Sequence, residues 1–314
     1  MFDGLNETVR GASHEESGTV CQDFSAFEIN ENYAIAITAD GHGSKKHFRS
    51  DVGSRLATEV TLRAVSEFSQ DFEKFRQNMK RDSASLIKKI EKYIIEAWDK
   101  EILKYHKAHP ITDEEIERVN DEKAIKTKKV EAIYGTTLIT AVMCEDFCYG
   151  FQIGDGSCVV INENGEFEMP IVDDESHPAN LTSSLCNSNA VDMFEMFYKD
   201  TKQTAVIVST DGLFTSFASR SEFETYNRIV TTMLDNTEEA GKSIRANLMK
   251  RAKYGSQDDI SISVVFDTDM QKKLQISMNE TIKANQKKNE MEDFRQRQKL
   301  KKQMAKRKYE TKAE

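Results

Sequence analysis

The strand-like runs of this chain come in close pairs, and its long helix-like runs fall between or after those pairs rather than alternating with single strands. Phe24 to Ala39 reads FSAFEIN, a turn at Glu31 and Asn32, then YAIAITA with alternating Ala and Ile, which predicts a hairpin ending at Asp40. Thr136 to Met143, Phe147 to Ile153, Cys158 to Ile161 and, after the tight-turn pair Asn164-Gly165, Glu166 to Met169 predict four strands in meander order. Ala190 to Tyr198, Thr204 to Ser209 and Ile260 to Phe266 add further strands. Short connections of this kind join antiparallel neighbours, so the pattern predicts an α+β sandwich rather than a doubly wound parallel sheet.

The helical runs fit around that framework. Ser50 to about Phe68 places Val52, Leu56, Val60 and Val65 near helical spacing, and Ser83 to Lys107 carries an apolar stripe of Ile87, Ile90, Ile94, Trp98 and Ile102 that ends at His109-Pro110. That stripe reads as core. Asp113 to Lys129 is charged, so the stretch 71–130 is expected as a helical segment set into the β framework. Ser221 with Glu224 reads as a capping box opening a helix toward Leu234, and another helix is expected from about Glu238 to Ala252.

With 314 residues and 38% hydrophobic content, the chain can bury one large core. The charge is uneven: residues 1–270 carry 30 Lys and Arg against 47 Asp and Glu, whereas 271–314 carry 14 against 6. The division expected is therefore a folded body over 1–269 and a charged, basic helical or coiled-coil tail over 270–314. An acidic body disfavours nucleic acid as the main substrate, because phosphate backbones bind clustered positive charge. The tail, with its basic cluster from Lys299 to Lys308, is expected to be solvated, or else to meet nucleic acid, an acidic protein or the chain's own acidic body. Five cysteines, an odd number without a CxxC pair, suit a reducing compartment. No run of about 18 apolar residues is present, so a cytoplasmic, non-membrane protein is expected.

The chemistry-bearing residues cluster where strands meet turns. Asp40 lies in TADGHG, Asp155 in IGDGS, Asp211 in STDGL, and Asp258 with Asp259 in GSQDDIS directly before a strand. Carboxylates gathered at strand ends suit hard cations such as Mg or Mn, which take oxygen ligands and retain water. Two such ions can bridge a phosphoryl group and activate water, so phosphate-ester hydrolysis is the natural chemistry. No Cys lies in a Cys-x5-Arg phosphate loop.

Taken in order, CQD, DGHG, GTTLI, IGDGS, STDGL and GSQDDIS resemble the motifs of the metal-dependent protein phosphatases of type 2C, over roughly Gly11 to Phe266. Any one of them alone signals only a turn. The resemblance implies two antiparallel sheets packed as a sandwich and flanked by helices, with a two-ion Mg or Mn centre at one end. It further implies that phosphoserine and phosphothreonine in protein substrates are hydrolysed by attack of metal-bound hydroxide. Carried over by position, Asp40 would bridge both ions, the Gly41 carbonyl would bind one, and Asp211 and Asp258 would bind the other. Asp23 would hold metal-bound water. Asp155 matches the place of a third, weaker ion, although a turn before Gly156 explains it equally well. His42 matches the residue proposed to protonate the leaving alkoxide, a task for a group titrating near neutrality.

Two departures stand out. Gly18 occupies the place where many relatives carry a phosphate-clamping arginine, which leaves the substrate-binding residues unknown, with Arg10 and His14 as substitutes to be considered. Asp259 stands where many relatives have asparagine, and reads either as added negative charge near the ions or as a satisfied turn residue. Gln22, glutamate in many eukaryotic relatives, resembles the bacterial-type branch. The rival readings are a weakly active or non-catalytic phosphoprotein-binding module of the same fold, suggested by Gly18, and an assembly protein whose tail drives self-association.

Overall fold

The structure, a computed structural model, describes residues 1–127, 129–171 and 182–275, with isolated helical positions up to 295. Two five-stranded antiparallel sheets face one another. One has the order β2-β3-β4-β5-β8, built from β2 (Phe24–Ile29), β3 (Tyr33–Ala39), β4 (Leu138–Cys144), β5 (Cys148–Ile153) and β8 (Glu195–Lys199). The other has the order β1-β10-β9-β6-β7, from β1 (Phe2–Val9), β6 (Ser157–Ile161), β7 (Phe167–Glu168), β9 (Ala205–Ser209) and β10 (Ile260–Asp267). The expected α+β sandwich is what the chain forms.

The alternation in YAIAITA explains why β3 is buried on both faces. Ala34 and Ala36 point into the layer between the sheets, with Ile139, Ala141, Val206 and Val208. Ile35 and Ile37 point the other way, toward the helices α2 (Ser50–Phe68) and α3 (Phe72–Ala108). Small residues on the inner face let the sheets approach, and branched ones fill the wider gap to the helices. The stripe from Ile87 to Ile102 is fully buried there, and Trp98 donates its indole N–H to the Gly53 carbonyl at 3.0 Å. Burying each such large side chain contributes about 1.5–3 kcal/mol. On the opposite side α7 (Arg220–Thr232) and α8 (Thr237–Tyr254) cover the second sheet through Phe223, Val230, Ile244 and Leu248.

Several elements depart from the sequence-based expectation. The four-strand meander is split: β4 and β5 pair in one sheet, whereas β6 crosses to the other and pairs with β7 and β9. The strands β4, β5, β6 and β9 are all apolar and buried, so local pattern carries no information on which sheet each joins. The helix cap lies two residues earlier than expected and is not a full capping box: Ser219 accepts from the Glu222 N–H, while the Glu222 carboxylate accepts from the Ala218 N–H rather than from that of Ser219. Phe72 opens α3 eleven residues before the expected Ser83, with a break at Asp82, which accepts from the Ser85 N–H and caps the second half. The charged stretch that follows forms α4 (Asp113–Val119) and α5 (Glu122–Ile125). The first strand and α1 (Ala12–Ser17) were not anticipated, because β1 carries only Leu5 and Val9 as buried apolar residues and is held by long-range pairing with β10. The helical turn over 268–275 packs Leu274 into the second core and donates from Gln271 to the Thr231 carbonyl. The basic cluster expected in the tail, Lys299 to Lys308, lies outside the described residues. No described helix is long and apolar enough to cross a membrane.

Candidate active site

Strand register brings the acidic motifs to one end of the sandwich. Phe24 pairs with Ala39, so Asp23 and Asp40 flank the open end of the β2-β3 hairpin. Ile262 pairs with Ser209, so Asp211 after β9 and Asp258 before β10 emerge side by side from the other sheet. Asp155 sits in the connection by which the chain crosses between the sheets. Asp40, Asp155 and Asp211 line one cavity of about 410 Å³ together with His42, Lys46, His47 and Thr137.

The backbone around Asp40 is fixed by the GTT motif. Asp40 donates its N–H to the Thr137 hydroxyl at 2.9 Å, and its carbonyl accepts from the Thr137 N–H at 2.8 Å and the Thr136 hydroxyl at 2.9 Å. Gly41 donates to the Gln22 carbonyl at 3.1 Å, and a side chain there would meet that oxygen at 2.6 Å and the Ser50 carbonyl at 2.7 Å. Only glycine permits this approach. Ser50 donates to the His42 carbonyl at 3.0 Å, which ties the DGHG loop to the start of α2.

The carboxylates repel one another. Asp23, 5% exposed, is pushed well above the usual carboxylate range by burial and then by Asp259, partly offset by the Thr210 hydroxyl donating at 2.7 Å. Asp40 is raised by burial and by the charges of Asp23 and Asp211, and Asp211 by burial and by Asp155. One Asp211 oxygen is buried without a hydrogen-bond partner, and no Lys or Arg counts among the leading influences on these three groups. Asp258 contributes charge from the rim, with its side chain 54% exposed. Uncompensated, partly orphaned carboxylates are what divalent cations neutralise, so the donor set fits Mg or Mn. Among the described residues no group of three or more His, Cys, Asp or Glu side chains is placed to hold a metal ion by itself, so backbone carbonyl and water would have to complete any shell. Mg-type sites keep several waters in this way.

His42 departs from the near-neutral titration expected of it: burial, then His47 and Lys46, lower its pKa to about 4. At neutral pH the imidazole is therefore uncharged until a negative group arrives beside it. The structure also accounts for both departures in the motifs. Gly18 ends α1 in the left-handed conformation at φ 73°, so this position serves as a helix stop. Asp259 is 2% exposed and accepts from the Gly11 and Gln22 N–H groups, each at 2.7 Å, while His14 Nδ1 lies 2.9 Å away. These contacts hold its pKa down despite burial, so it is a structural tie for the segment leading to Asp23. His14 is engaged there, and Arg10 donates to the His14 carbonyl at 2.6 Å. Sequence reasoning missed Lys46 and His47, whose motif carries no strand-end signal; Lys46 is an exposed cation on the cavity wall.

Residues 10–250 match the family described as protein phosphatase 2C. Spanning most of the chain and all the acidic motifs but GSQDDIS, that match makes this chain a member of the protein phosphatase 2C family. In fold it is similar to the serine/threonine phosphatase Stp1 from Staphylococcus aureus, at 15% identity and a TM-score of 0.52 over 85% of this chain and 95% of that one. It is also similar to the S. agalactiae serine/threonine phosphatase, at 16% identity and a TM-score of 0.50 over 85% and 99%. A third similar structure is the catalytic domain of the serine threonine protein phosphatase PstP in complex with two manganese ions, at 14% identity and a TM-score of 0.51 over 84% and 97%. No curated protein matches the sequence.

Proposed function

We propose that this chain is a Mg- or Mn-dependent phosphatase acting on phosphoserine and phosphothreonine in proteins. The observation that carries the reading is the meeting of Asp40 and Asp211 in one cavity, both with raised pKa values and neither matched by a basic side chain among its leading influences. Asp40, the Gly41 carbonyl, Asp211 and Asp258 would hold two ions, with Asp23 orienting water behind them and Asp155 available to a third. Bound there, the ions would supply water activation and neutralise charge on the phosphoryl group.

The chain's own groups supply the rest. Lys46 stands on the cavity wall and offers the cation that Gly18 does not, so it is the proposed phosphate contact. His42 lies in the same cavity. A phosphate dianion beside it would raise its pKa, enabling it to hold the proton that the leaving alkoxide needs. Membership of a phosphatase family, together with retention of Asp40, His42, Asp211 and Asp258, favours catalysis over a purely binding module.

The test is hydrolysis of a phosphothreonine peptide in EDTA, Mg or Mn, with Asp40→Asn alongside. Metal-dependent turnover, reduced at least ~100-fold in the variant, is expected, since losing one preorganised charge-stabilising group typically costs about that much. No turnover with any metal by a folded protein would move the reading to the binding module.

A further inference from the structure

A second cavity, about 700 Å³ in volume, adjoins the candidate active site, and Gly43 and Ser44 line both. Its walls come from the loop after α1, the start of α2, and the connection between α3 and α4. Its lining is mixed: Val20, Phe48, Val52 and Tyr105 offer apolar surface, and Asp51 and Arg118 supply charges of opposite sign. Val20 is the notable member, a branched apolar side chain left 49% exposed.

This cavity is held open by a buried fork. Arg49, 6% exposed, donates to both Glu115 oxygens at 2.7 Å, to the His109 carbonyl at 2.7 Å, to the Pro110 carbonyl at 3.0 Å and to the Tyr134 hydroxyl at 3.0 Å. All these partners lie in or beside the helical segment set between β3 and β4. The guanidinium therefore locks the far wall against the start of α2, and the groove exists before any ligand arrives. Preformed clefts of about 300–1,000 Å³ with apolar linings and few polar groups are the usual form of recognition sites.

We infer that this groove takes the polypeptide flanking the phosphoresidue and selects for an apolar side chain close to it. The inference rests on the phosphatase reading of the neighbouring cavity. A phosphoresidue placed beside Asp40 and Lys46 must carry its chain out of that cavity, and the groove lies just across the Gly43-Ser44 segment that lines both. An extended chain advances about 3.3 Å per residue and turns alternate side chains to one side, so a flanking side chain reaches Val20 and Phe48 within a few residues. Asp51 opposes Arg118 and Glu115 opposes Arg49, which leaves Lys45 as a single cation in excess at the Gly43-Ser44 side, and the selectivity proposed comes from the apolar contact with Val20 and Phe48.

The test uses the full chain with Val20→Asp and Val20→Ala, chosen because the Val20 side chain is half exposed and lies outside the proposed catalytic set. Substrates are p-nitrophenyl phosphate and two phosphothreonine peptides, flanked on both sides by Leu or by Ala. Val20→Asp is expected to raise KM for the Leu-flanked peptide by about tenfold, the scale of a lost apolar subsite contact, with a smaller rise for Val20→Ala. Turnover of p-nitrophenyl phosphate and of the Ala-flanked peptide should be unchanged. Equal effects on all substrates, or none on any, would overturn the groove. Fluorescence anisotropy with the same labelled phosphopeptides separates the two readings. If wild-type protein hydrolyses nothing yet binds the Leu-flanked peptide in a Val20-dependent way, the phosphatase reading fails and the groove stands; if Val20→Asp leaves binding unaltered, the groove fails.

Discussion

Replacing Asp259 by Asn tests the reading of this carboxylate as a structural tie. Its Oδ1 accepts from the Gly11 N–H and its Oδ2 from the Gln22 N–H, with His14 Nδ1 2.9 Å from Oδ2. In its better orientation the amide keeps its oxygen toward Gln22 and His14 and turns its NH₂ toward the Gly11 N–H, leaving a buried donor facing another donor. An unsatisfied buried donor costs about 1–3 kcal/mol, and losing the charge on the remaining bonds about 1 kcal/mol more. The expected loss is therefore about 2–4 kcal/mol, or roughly 4–8 °C in Tm for a folded unit of about 260 residues. Differential scanning calorimetry in EDTA measures it without metal linkage.

The pH dependence gives a second reading of the same substitution. Asp259 has a depressed pKa, so its stabilisation is present above the ordinary carboxylate value and is lost as pH falls through the depressed one. His14 has a pKa raised chiefly by Asp259, so its share is full below its ordinary value of about 6.5 and fades as pH rises through the raised one. The deficit of the variant should therefore be largest in mildly acidic solution and shrink toward both extremes. A Tm within 1 °C of wild type across that range would refute the tie.

Because Asp23, Asp40 and Asp211 have raised pKa values, the native state binds more protons than the unfolded chain, so metal-free protein should lose stability as pH rises from about 4 toward neutrality. Mn or Mg at 100 times its dissociation constant should restore about 2.7 kcal/mol, and a calorimetric Tm unmoved by either ion would contradict the carboxylate assignment. Arg49→Lys should lower stability by about 2–4 kcal/mol, since an ammonium cannot reproduce the planar fork to Glu115 and still reach His109, Pro110 and Tyr134; urea denaturation with an unchanged midpoint would show the fork to be dispensable.

The antiparallel α+β class, the hairpin before Asp40, the long apolar helix through Trp98 and the aspartates at strand ends are all legible in the residues alone. Those features are local: side-chain period, turn chemistry and motif order act over a few residues and survive without knowledge of the rest of the chain. The tertiary structure alone decided what depends on distant partners. The first strand has too few apolar residues to announce itself and exists through its ladder to β10, some 250 positions away. Which sheet receives β6, that Asp259 ties Gly11 to Gln22 while its charge also acts on Asp23, and that Gly18 ends a helix are likewise decided by register and close contact. The His42 imidazole shows the difference most directly: its motif suggested a group titrating near neutrality, and only the burial and cationic neighbours that the fold supplies move its pKa down to about 4.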